Sequence, residues 1–199
     1  MLMTRAPQRH LWQAGFTIVE LVVVLVVAGI LGAVATQRFF DGATIEVREY
    51  SDQAKAIIRY GQKLAIAQNR PIYVSATGNR FALCSAAACG NGTLVSAPGG
   101  NNSGSSVAKA QCRLGGNYVS TWICEAKPAS VALVSSRAAE AGGANSYFYF
   151  DAMGRPFNAA DVAPPNGYVS TFAQALTLTF TGNGTSYVVT IEPETGYVH

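Results

Sequence analysis

One stretch near the amino terminus constrains this chain more than any other. The twenty residues from Phe16 to Ala35, FTIVELVVVLVVAGILGAVA, contain a single charge, Glu20. A helix of about twenty apolar residues is long enough to cross a bilayer. A carboxylate inside such a run costs about 2.5 to 3.5 kcal/mol and normally has a partner. A plain membrane anchor therefore does not explain Glu20.

A secretory signal peptide is the second interpretation of this stretch. The leader before it, residues 1–15, has two arginines and no acid, and Ala33 and Ala35 form an A-x-A cleavage pattern. In a signal peptide, however, the polar region would have to extend past three apolar residues to include Glu20. This interpretation also leaves the carboxylate unexplained.

The third interpretation is a resemblance. Gly15, followed by Phe-Thr-Ile-Val-Glu and the apolar run, resembles the processing site of type IV prepilins and type II secretion pseudopilins. The resemblance implies that a prepilin peptidase cuts between Gly15 and Phe16 and methylates the new amino terminus. It also implies that Glu20, the fifth residue of the mature chain, pairs with a free amino terminus during assembly.

The same resemblance implies a location and partners. The chain would be a single-pass protein of the bacterial inner membrane with a periplasmic carboxy-terminal domain, and would then enter a pilus or pseudopilus. Its partners would be the prepilin peptidase, the inner membrane, and other major and minor pilins. The pilins would be bound through the amino-terminal helix in a homo- or hetero-oligomeric filament.

An amphipathic helix is predicted to follow, over residues 41–70, and Pro71 ends it. A continuous helix from Phe16 to Asn69 would reach roughly 80 Å, with a bend at Asp41–Gly42 because glycine weakens a helix. Apolar residues recur at threes and fours on one face: Tyr50, Ala54, Ile57, Ile58, Gly61, Leu64 and Ala65. A basic stripe lies roughly opposite: Arg48, Lys55, Arg59, Lys63 and Arg70. The stripe is either a track for a polyanion or a solvated or subunit-facing side.

Short alternating runs beyond Pro71 predict β-structure: PIYVSAT, RFALCS, YVSTWIC, SVALVSS, SYFYFDA, ALTLTFT and SYVVTIE. Ser96 to Ser106 is expected to be a mobile loop, and Gly182-Asn183-Gly184 a hairpin turn. The predicted fold is α+β. A long amino-terminal helix, hydrophobic in its first half, packs on an antiparallel sheet or two-sheet sandwich, as in the pilin fold that the resemblance implies.

This gives four expected segments: a leader at 1–15, a transmembrane and filament-core helix at 16–40, the amphipathic half at 41–70, and a β-rich globular domain at 71–199. Within the last, Tyr149 to Pro156, YFDAMGRP, resembles the Phe-Asp-x-x-Gly-Arg hairpin of GspH-type minor pseudopilins and FimT-type minor pilins. Ile58 to Pro71 and the next strand more narrowly resemble MshC-type minor pilins of the mannose-sensitive haemagglutinin pilus. A tight turn alone also accounts for Asp151 and Gly154.

The four cysteines, Cys84, Cys89, Cys112 and Cys124, all follow the apolar run. In a periplasmic domain an even count favours two disulfides, with three possible connectivities. Pairing of sequence neighbours, Cys84 with Cys89 and Cys112 with Cys124, is preferred because each pair closes without including the mobile loop. A four-thiolate zinc site is the alternative, but these spacings match no common zinc motif.

Catalytic chemistry has no visible residues in this sequence. It contains no P-loop lysine, no G-x-S-x-G and no H-E-x-x-H, and its only histidines are His10 and His199. No enzyme activity, cofactor or metal is expected. Residues 156–199 contain three acids and no lysine or arginine, which disfavours nucleic-acid binding there. The expected function is a structural minor pilin that enters or primes an MSHA-like pilus. The alternatives are a GspH-type pseudopilin and a DNA-binding minor pilin used in transformation.

Overall fold

The computed structural model describes residues 16–39, 42–87, 89–162 and 169–199. Contacts divide the chain into two units, Met1–Asp41 and Gly42–His199. The first contains helix α1, and the second contains two helices and ten strands among its described residues. These elements are α1 Ile18–Phe39, α2 Gly42–Gln68, β1 Ile72–Thr77, β2 Arg80–Cys84, α3 Ser106–Gln111, β3 Arg113–Leu114, β4 Asn117–Tyr118, β5 Cys124–Ala126, β6 Ala132–Ser135, β7 Tyr147–Phe150, β8 Pro156–Asn158, β9 Leu176–Gly182 and β10 Thr185–Ile191.

The amphipathic face of α2 is confirmed. Tyr50, Ala54, Ile57, Ile58 and Ala65 are all buried, and Leu64 is half-buried against them. Their spacing of three and four residues places them on one side of a helix with 3.6 residues per turn. The face therefore packs on the sheets.

Gly61 lies on the same face at a point of close approach. A Cβ atom at Gly61 would lie 2.8 Å from Leu83 Cδ2. A larger residue at this position would therefore require either the Leu83 side chain or α2 to shift.

The end of α2 is set by its last residues. Asn69 has a φ of 50°, a left-handed conformation that asparagine tolerates better than most residues. The Asn69 N–H donates to the Ile66 carbonyl at 3.3 Å, and the Arg70 N–H donates to the Ala65 carbonyl at 3.2 Å. This pair of bonds is a Schellman motif, and Pro71 then prevents the helix from continuing.

Two antiparallel sheets form the larger part of the second unit. One has five strands in the order β5-β2-β1-β7-β8, and the other has three in the order β10-β9-β6. Strands β3 and β4 form a separate pair. Helix α2 contacts both larger sheets, and their buried side chains form one core with its apolar face. The predicted α+β class is confirmed.

The β9–β10 hairpin is as predicted. Thr185 pairs with Gly182, which leaves Asn183 and Gly184 as a two-residue loop. Their φ angles, 46° and 75°, are both positive, as a type I′ turn requires. The turn type matches the right-handed twist of the two strands, so this hairpin could be derived from local sequence alone.

Two sequence predictions differ from the structure. YVSTWIC was expected to be one strand, but β4 ends at Tyr118 and β5 begins at Cys124. Trp122 lies between them and forms an isolated bridge with Ser96. Its indole N–H donates to the Leu83 carbonyl at 2.9 Å, so the chain turns inward there rather than running straight.

The segment from Ser96 to Ser106, expected to be a mobile loop, is held by polar contacts. The Asn102 N–H donates to the Ser120 carbonyl at 2.7 Å, and the Asn102 side-chain amide donates to the Val119 carbonyl at 3.1 Å. Ser105 caps α3 by accepting a hydrogen bond from the Ala108 N–H at 3.0 Å. Hydrogen bonds therefore hold this segment in place, although it has few apolar residues to pack into the core.

Some predictions fall on residues that the structure does not describe. The leader at 1–15, including Gly15, lies outside the described residues. So do residues 40 and 41, where the bend was expected; α1 ends at Phe39 and α2 begins at Gly42.

Candidate assembly site

Phe16 and Glu20 lie at the start of α1. Thr17 is its N-cap, and the Thr17 hydroxyl accepts a hydrogen bond from the Glu20 N–H at 3.2 Å. The spacing Thr-x-x-Glu is that of a capping box, and a carboxylate in the first turn interacts favourably with the positive end of the helix dipole. Glu20 therefore has a local structural position that the sequence analysis missed, although the Thr17 spacing signals it.

Between Ile18 and Ala33, the surface of α1 is apolar apart from Glu20. Its large apolar side chains up to Leu31 are exposed by between 49% at Val27 and 84% at Ile18. A helix surface with this many exposed apolar side chains is typical of interaction surfaces. In the described part of the chain, no helix combines the length and the apolar character needed to cross a membrane.

Both disulfides lie in a second, smaller core. Cys84 is bonded to Cys89 with a Cα–Cα distance of 5.2 Å, and Cys112 is bonded to Cys124 with a Cα–Cα distance of 5.8 Å. This is the local pairing that the sequence analysis preferred. All four sulfurs are consumed, and no group of three or more His, Cys, Asp or Glu side chains that could hold a metal occurs among the described residues.

The disulfides join elements that also pack together in this second core. The second core contains Ala82 of β2, Ala108 of α3 and Trp122 as well as the four half-cystines. Cys112 directly follows α3, and Cys124 begins β5. The bond between them therefore ties the short helix to the edge of the five-stranded sheet.

The Asp151–Arg155 segment forms the turn between β7 and β8. Asp151 is 3% exposed, and its Oδ1 accepts hydrogen bonds from the N–H groups of Met153 and Arg155, both at 2.9 Å. Gly154 has a φ of 79°, and its N–H donates to the Asp151 carbonyl at 2.9 Å. A tight turn accounts for both residues, as expected.

A side chain of helix α2 also holds the β7–β8 turn. The Gln62 side-chain amide of α2 donates to the Gly154 carbonyl at 3.0 Å and to the Thr195 carbonyl at 2.9 Å. Gln62 thereby joins the β7–β8 turn to the carboxy-terminal segment. Sequence reasoning missed this role because Gln62 lies between two positions of the apolar face and carries no signal of its own.

The basic stripe on α2 faces solvent for most of its length. Arg48, Arg59, Lys63 and Arg70 are exposed, and Lys55 is half-buried. The Arg59 Nε donates to the Val198 carbonyl at 2.9 Å. The ion pair between Arg48 and Asp52 spans 3.9 Å, with about 70% of each side chain exposed, so it adds little to stability.

Comparison with known proteins gives one family match. The model of the prokaryotic N-terminal methylation motif matches residues 13–36. This range includes Gly15, Phe16 and Glu20, the three residues on which the resemblance to prepilins depended. No curated protein matches the sequence.

Two solved structures resemble the fold at low identity. Both are crystal structures of the type IV minor pilin FimU of Pseudomonas aeruginosa strain PAO1. The structure in space group P65 is 13% identical, has a TM-score of 0.41, and is aligned over 76% of this chain and 90% of that chain. The structure in space group P21 is 14% identical, has a TM-score of 0.44, and is aligned over 78% of this chain and 88% of that chain. The chain thus carries a prokaryotic N-terminal methylation motif, followed in the sequence by an α+β unit.

Proposed function

We propose that this chain is a minor pilin-like structural subunit that enters or primes a type IV pilus of the MSHA kind. The observation that carries the proposal is the methylation-motif match at residues 13–36. Prepilin peptidase would cut between Gly15 and Phe16, methylate Phe16, and remove residues 1–15. The mature chain would then act by assembly and not by catalysis.

The assembly step follows from the surface of α1. In the inner membrane, residues 16–40 would be surrounded by lipid, with residues 41–70 and 71–199 on the periplasmic side. On extraction, the exposed apolar side chains of α1 would pack against the helices of other major and minor pilins. Glu20 would select the register by pairing with an amino terminus, because an unpaired carboxylate in an apolar filament core is costly.

The disulfides support an exported second unit. Two disulfides with buried half-cystines are typical of domains that fold in an oxidising compartment such as the periplasm. The proposal therefore requires the unit from Gly42 to His199 to fold after translocation.

Intact-mass spectrometry of the protein from its native host tests the processing step. The mature chain is expected to begin at N-methylated Phe16 and to contain 199 − 15 = 184 residues. A Gly15→Leu variant, in which the peptidase site is blocked, is expected to keep its leader. A mature chain that begins at Thr36 would instead establish a signal peptide and remove the filament proposal.

A type II secretion pseudopilin of the GspH kind is the alternative, and it shares the same amino-terminal chemistry. The two differ in the machine that needs the subunit. Deletion of the gene is expected to reduce surface pili and leave protein secretion intact. Loss of secretion with normal piliation would select the pseudopilin alternative.

A DNA-binding minor pilin is the second alternative. The exposed basic stripe on α2 would supply phosphate contacts, whereas residues 156–199 contain no lysine or arginine. Salt-dependent binding of duplex DNA that is lost in an Arg59→Gln, Lys63→Gln double variant would favour it. We expect no such binding.

A further inference from the structure

Two adjoining cavities open beside the β1–β2 turn, far in sequence from the processing site. Their volumes are about 430 Å³ and 370 Å³. Thr77, Arg80 and Ala144 line both of them. Small-molecule sites typically occupy about 300 to 1,000 Å³, so either cavity is large enough for a small ligand.

Arg80 is the only charged side chain among the described residues that line either cavity. Within the described ranges, no carboxylate lies within the 4.0 Å of its guanidinium that defines an ion pair. A partly buried charge is normally paired, because desolvation is otherwise uncompensated. The positive charge in these cavities is therefore unmatched.

Part of the guanidinium has a structural partner. Nη1 donates to the Gln111 carbonyl at 2.5 Å, and the guanidinium carbon lies 4.9 Å from the centroid of the Trp122 ring. The buried Nε has no hydrogen-bond partner among the described residues, and burial lowers the pKa of Arg80. These contacts fix the guanidinium in place, and within the described part of the chain they leave its charge without a carboxylate and its Nη2 atom without an acceptor.

The rest of the lining of the larger cavity is neutral and mixes polar with apolar residues: Ser75, Thr77, Asn145, Ser146 and Tyr147 are polar, and Ala87, Cys89 and Ala144 are apolar. Asn145 is exposed. The Tyr147 hydroxyl already donates to the Ala159 carbonyl at 2.9 Å, so it remains available mainly as an acceptor. Such a lining suits a ligand that carries hydroxyl groups.

We propose that the larger of the two cavities lined by Arg80 binds a small monoanionic ligand. This ligand combines a carboxylate with hydroxyl groups and is of the chemical class of a sugar acid. One unmatched positive charge fits one negative charge, whereas a dianionic phosphate would call for a second cation that the lining lacks. A guanidinium edge matches the two oxygens of a carboxylate, and the hydroxyl and amide groups bind the rest of the ligand. All of its lining residues belong to the unit Gly42–His199, and its test is independent of filament assembly.

The contact between Arg80 and Trp122 provides a direct reporter. The sequence has two tryptophans, Trp12 and Trp122, so a Trp12→Phe variant of the full chain in detergent micelles leaves Trp122 as the only indole. Glucuronate is the probe, and glucose is its neutral counterpart. We expect saturable quenching or a spectral shift of Trp122 fluorescence with glucuronate, half-complete at about 1 mM, and none with glucose.

Variants decide whether Arg80 is responsible. In the Trp12→Phe background, Arg80→Gln is expected to abolish the response, and Arg80→Lys is expected to weaken affinity by about tenfold because it loses the planar fork. Arg113→Gln, which removes an exposed arginine from the neighbouring strand β3, is the matched control and is expected to respond normally. If Arg80→Gln fails to fold, Asn145→Ala replaces it, since Asn145 is exposed and lines the larger cavity; its affinity is expected to fall by about threefold, the share of one neutral hydrogen bond.

Several outcomes would overturn the proposal. Absence of any response to glucuronate, an equal response to glucose, or a response that survives in Arg80→Gln would each do so. Acetate, inorganic phosphate and chloride are titrated in parallel. An equal response to all of these would identify an adventitious ion only, and would also overturn the proposal.

Discussion

Asp151 holds Arg155 through both of its carboxylate oxygens. Oδ1 accepts the Arg155 backbone N–H at 2.9 Å, and Oδ2 accepts Nε at 2.9 Å and lies 2.8 Å from Nη2. The carboxylate side chain is 4% exposed, whereas that of Arg155 is 34% exposed. The buried carboxylate of Asp151 therefore holds the β7–β8 turn closed, and the more exposed Arg155 side chain covers that carboxylate.

Asp151→Ala is expected to destabilise the chain by about 3 kcal/mol. The substitution leaves the N–H groups of Met153 and Arg155 without the acceptor they share and removes the partner of a half-buried charge. Urea denaturation followed by circular dichroism measures the change. Met153→Ala, in the same turn but 65% exposed, is the control and is expected to change stability by less than about 0.5 kcal/mol. Equal effects of the two substitutions would contradict the role of the carboxylate.

Gly196→Ala and Gly184→Ala are expected to lower the free energy of unfolding by very different amounts. Both glycines have positive φ, 63° and 75°, so alanine is strained at either position. At Gly184 a Cβ atom would meet nothing within 4 Å. At Gly196 it would collide with the Gly154 carbonyl and lie 2.8 Å from Gln62 Nε2.

We therefore expect a loss of about 1 kcal/mol for Gly184→Ala and at least about 3 kcal/mol for Gly196→Ala. Thermal unfolding of the two variants beside the parent chain is the measurement. Since both variants share the backbone strain, the difference between them reports the packing of the carboxy-terminal segment against Gln62 and the β7–β8 turn. A difference near zero would show that this packing is loose.

Tyr50→Phe is expected to stabilise the chain by about 1 kcal/mol at pH 7. Tyr50 is 2% exposed, and the centroid of its ring lies 5.7 Å from that of Phe180. Its buried hydroxyl has no hydrogen-bond partner among the residues that the structure describes. Phenylalanine keeps the ring contacts and removes the unpaired polar group. Urea denaturation of both proteins measures the gain.

The same substitution is expected to change the alkaline limit of stability. Burial, and secondarily the charge of Glu125, raises the pKa of Tyr50 above its ordinary value. The folded chain therefore keeps a proton that the unfolded chain releases above about pH 10, and its stability falls as the pH rises beyond that point. Tyr50→Phe is expected to reduce this loss, whereas Tyr197→Phe, at a 59% exposed position, is not. An unchanged slope in Tyr50→Phe between pH 9 and about 10.5 would contradict the assignment.

Glu20 is expected to act in assembly through its charge. Since Glu20 also occupies the third position of a helix whose N-cap is Thr17, an alanine variant changes two properties at once. Glu20→Gln keeps the capping-box residue type and removes only the charge. Both variants are expected to be cleaved normally and to reach normal membrane levels, yet to be at least about tenfold depleted from sheared filaments.

The control for Glu20 is Val24→Ala, one turn further along α1, which is expected to be incorporated nearly as well as the parent. Fractionation of sheared filaments, with membrane levels measured in parallel, gives the comparison. Parental amounts of Glu20→Gln in the filament fraction would rule out pairing with an amino terminus. Normal incorporation of Glu20→Gln with loss of Glu20→Ala would assign the effect to capping.

Local rules were enough to predict much of the fold. The periodicity of Tyr50, Ile58 and Ala65 predicted the buried face of α2, and the Asn183-Gly184 pair predicted the β9–β10 turn. The preferred pairing of the cysteines followed from leaving the predicted mobile loop outside each pair. Each of these features depends on residues close together in the sequence, so a single sequence contains the necessary information.

The features that were missed depend on distant contacts. Helix α3 has only six residues in a Ser- and Gly-rich setting, and its stability comes from the Ser105 cap and the Cys112 disulfide rather than from an apolar pattern. In the sequence, Gln62 and Arg80 look like ordinary surface residues. Folding places the Gly154 and Thr195 carbonyls beside Gln62. It places the Gln111 carbonyl and Trp122 beside Arg80. No local pattern could indicate these neighbours.

The way α2 is covered has a consequence for folding kinetics. Its side chains contact residues far along the chain: Gln62 binds the Thr195 carbonyl across a separation of 133 residues, and Arg59 binds the Val198 carbonyl across 139. The part of the apolar face that packs on β9 and β10 therefore remains uncovered until the last hairpin has been synthesised, whereas β1 and β2 can cover the rest earlier. Closing loops of this length slows folding, and the uncovered part invites aggregation during the delay. A chaperone that shields α2 until this hairpin is complete would therefore reduce the risk.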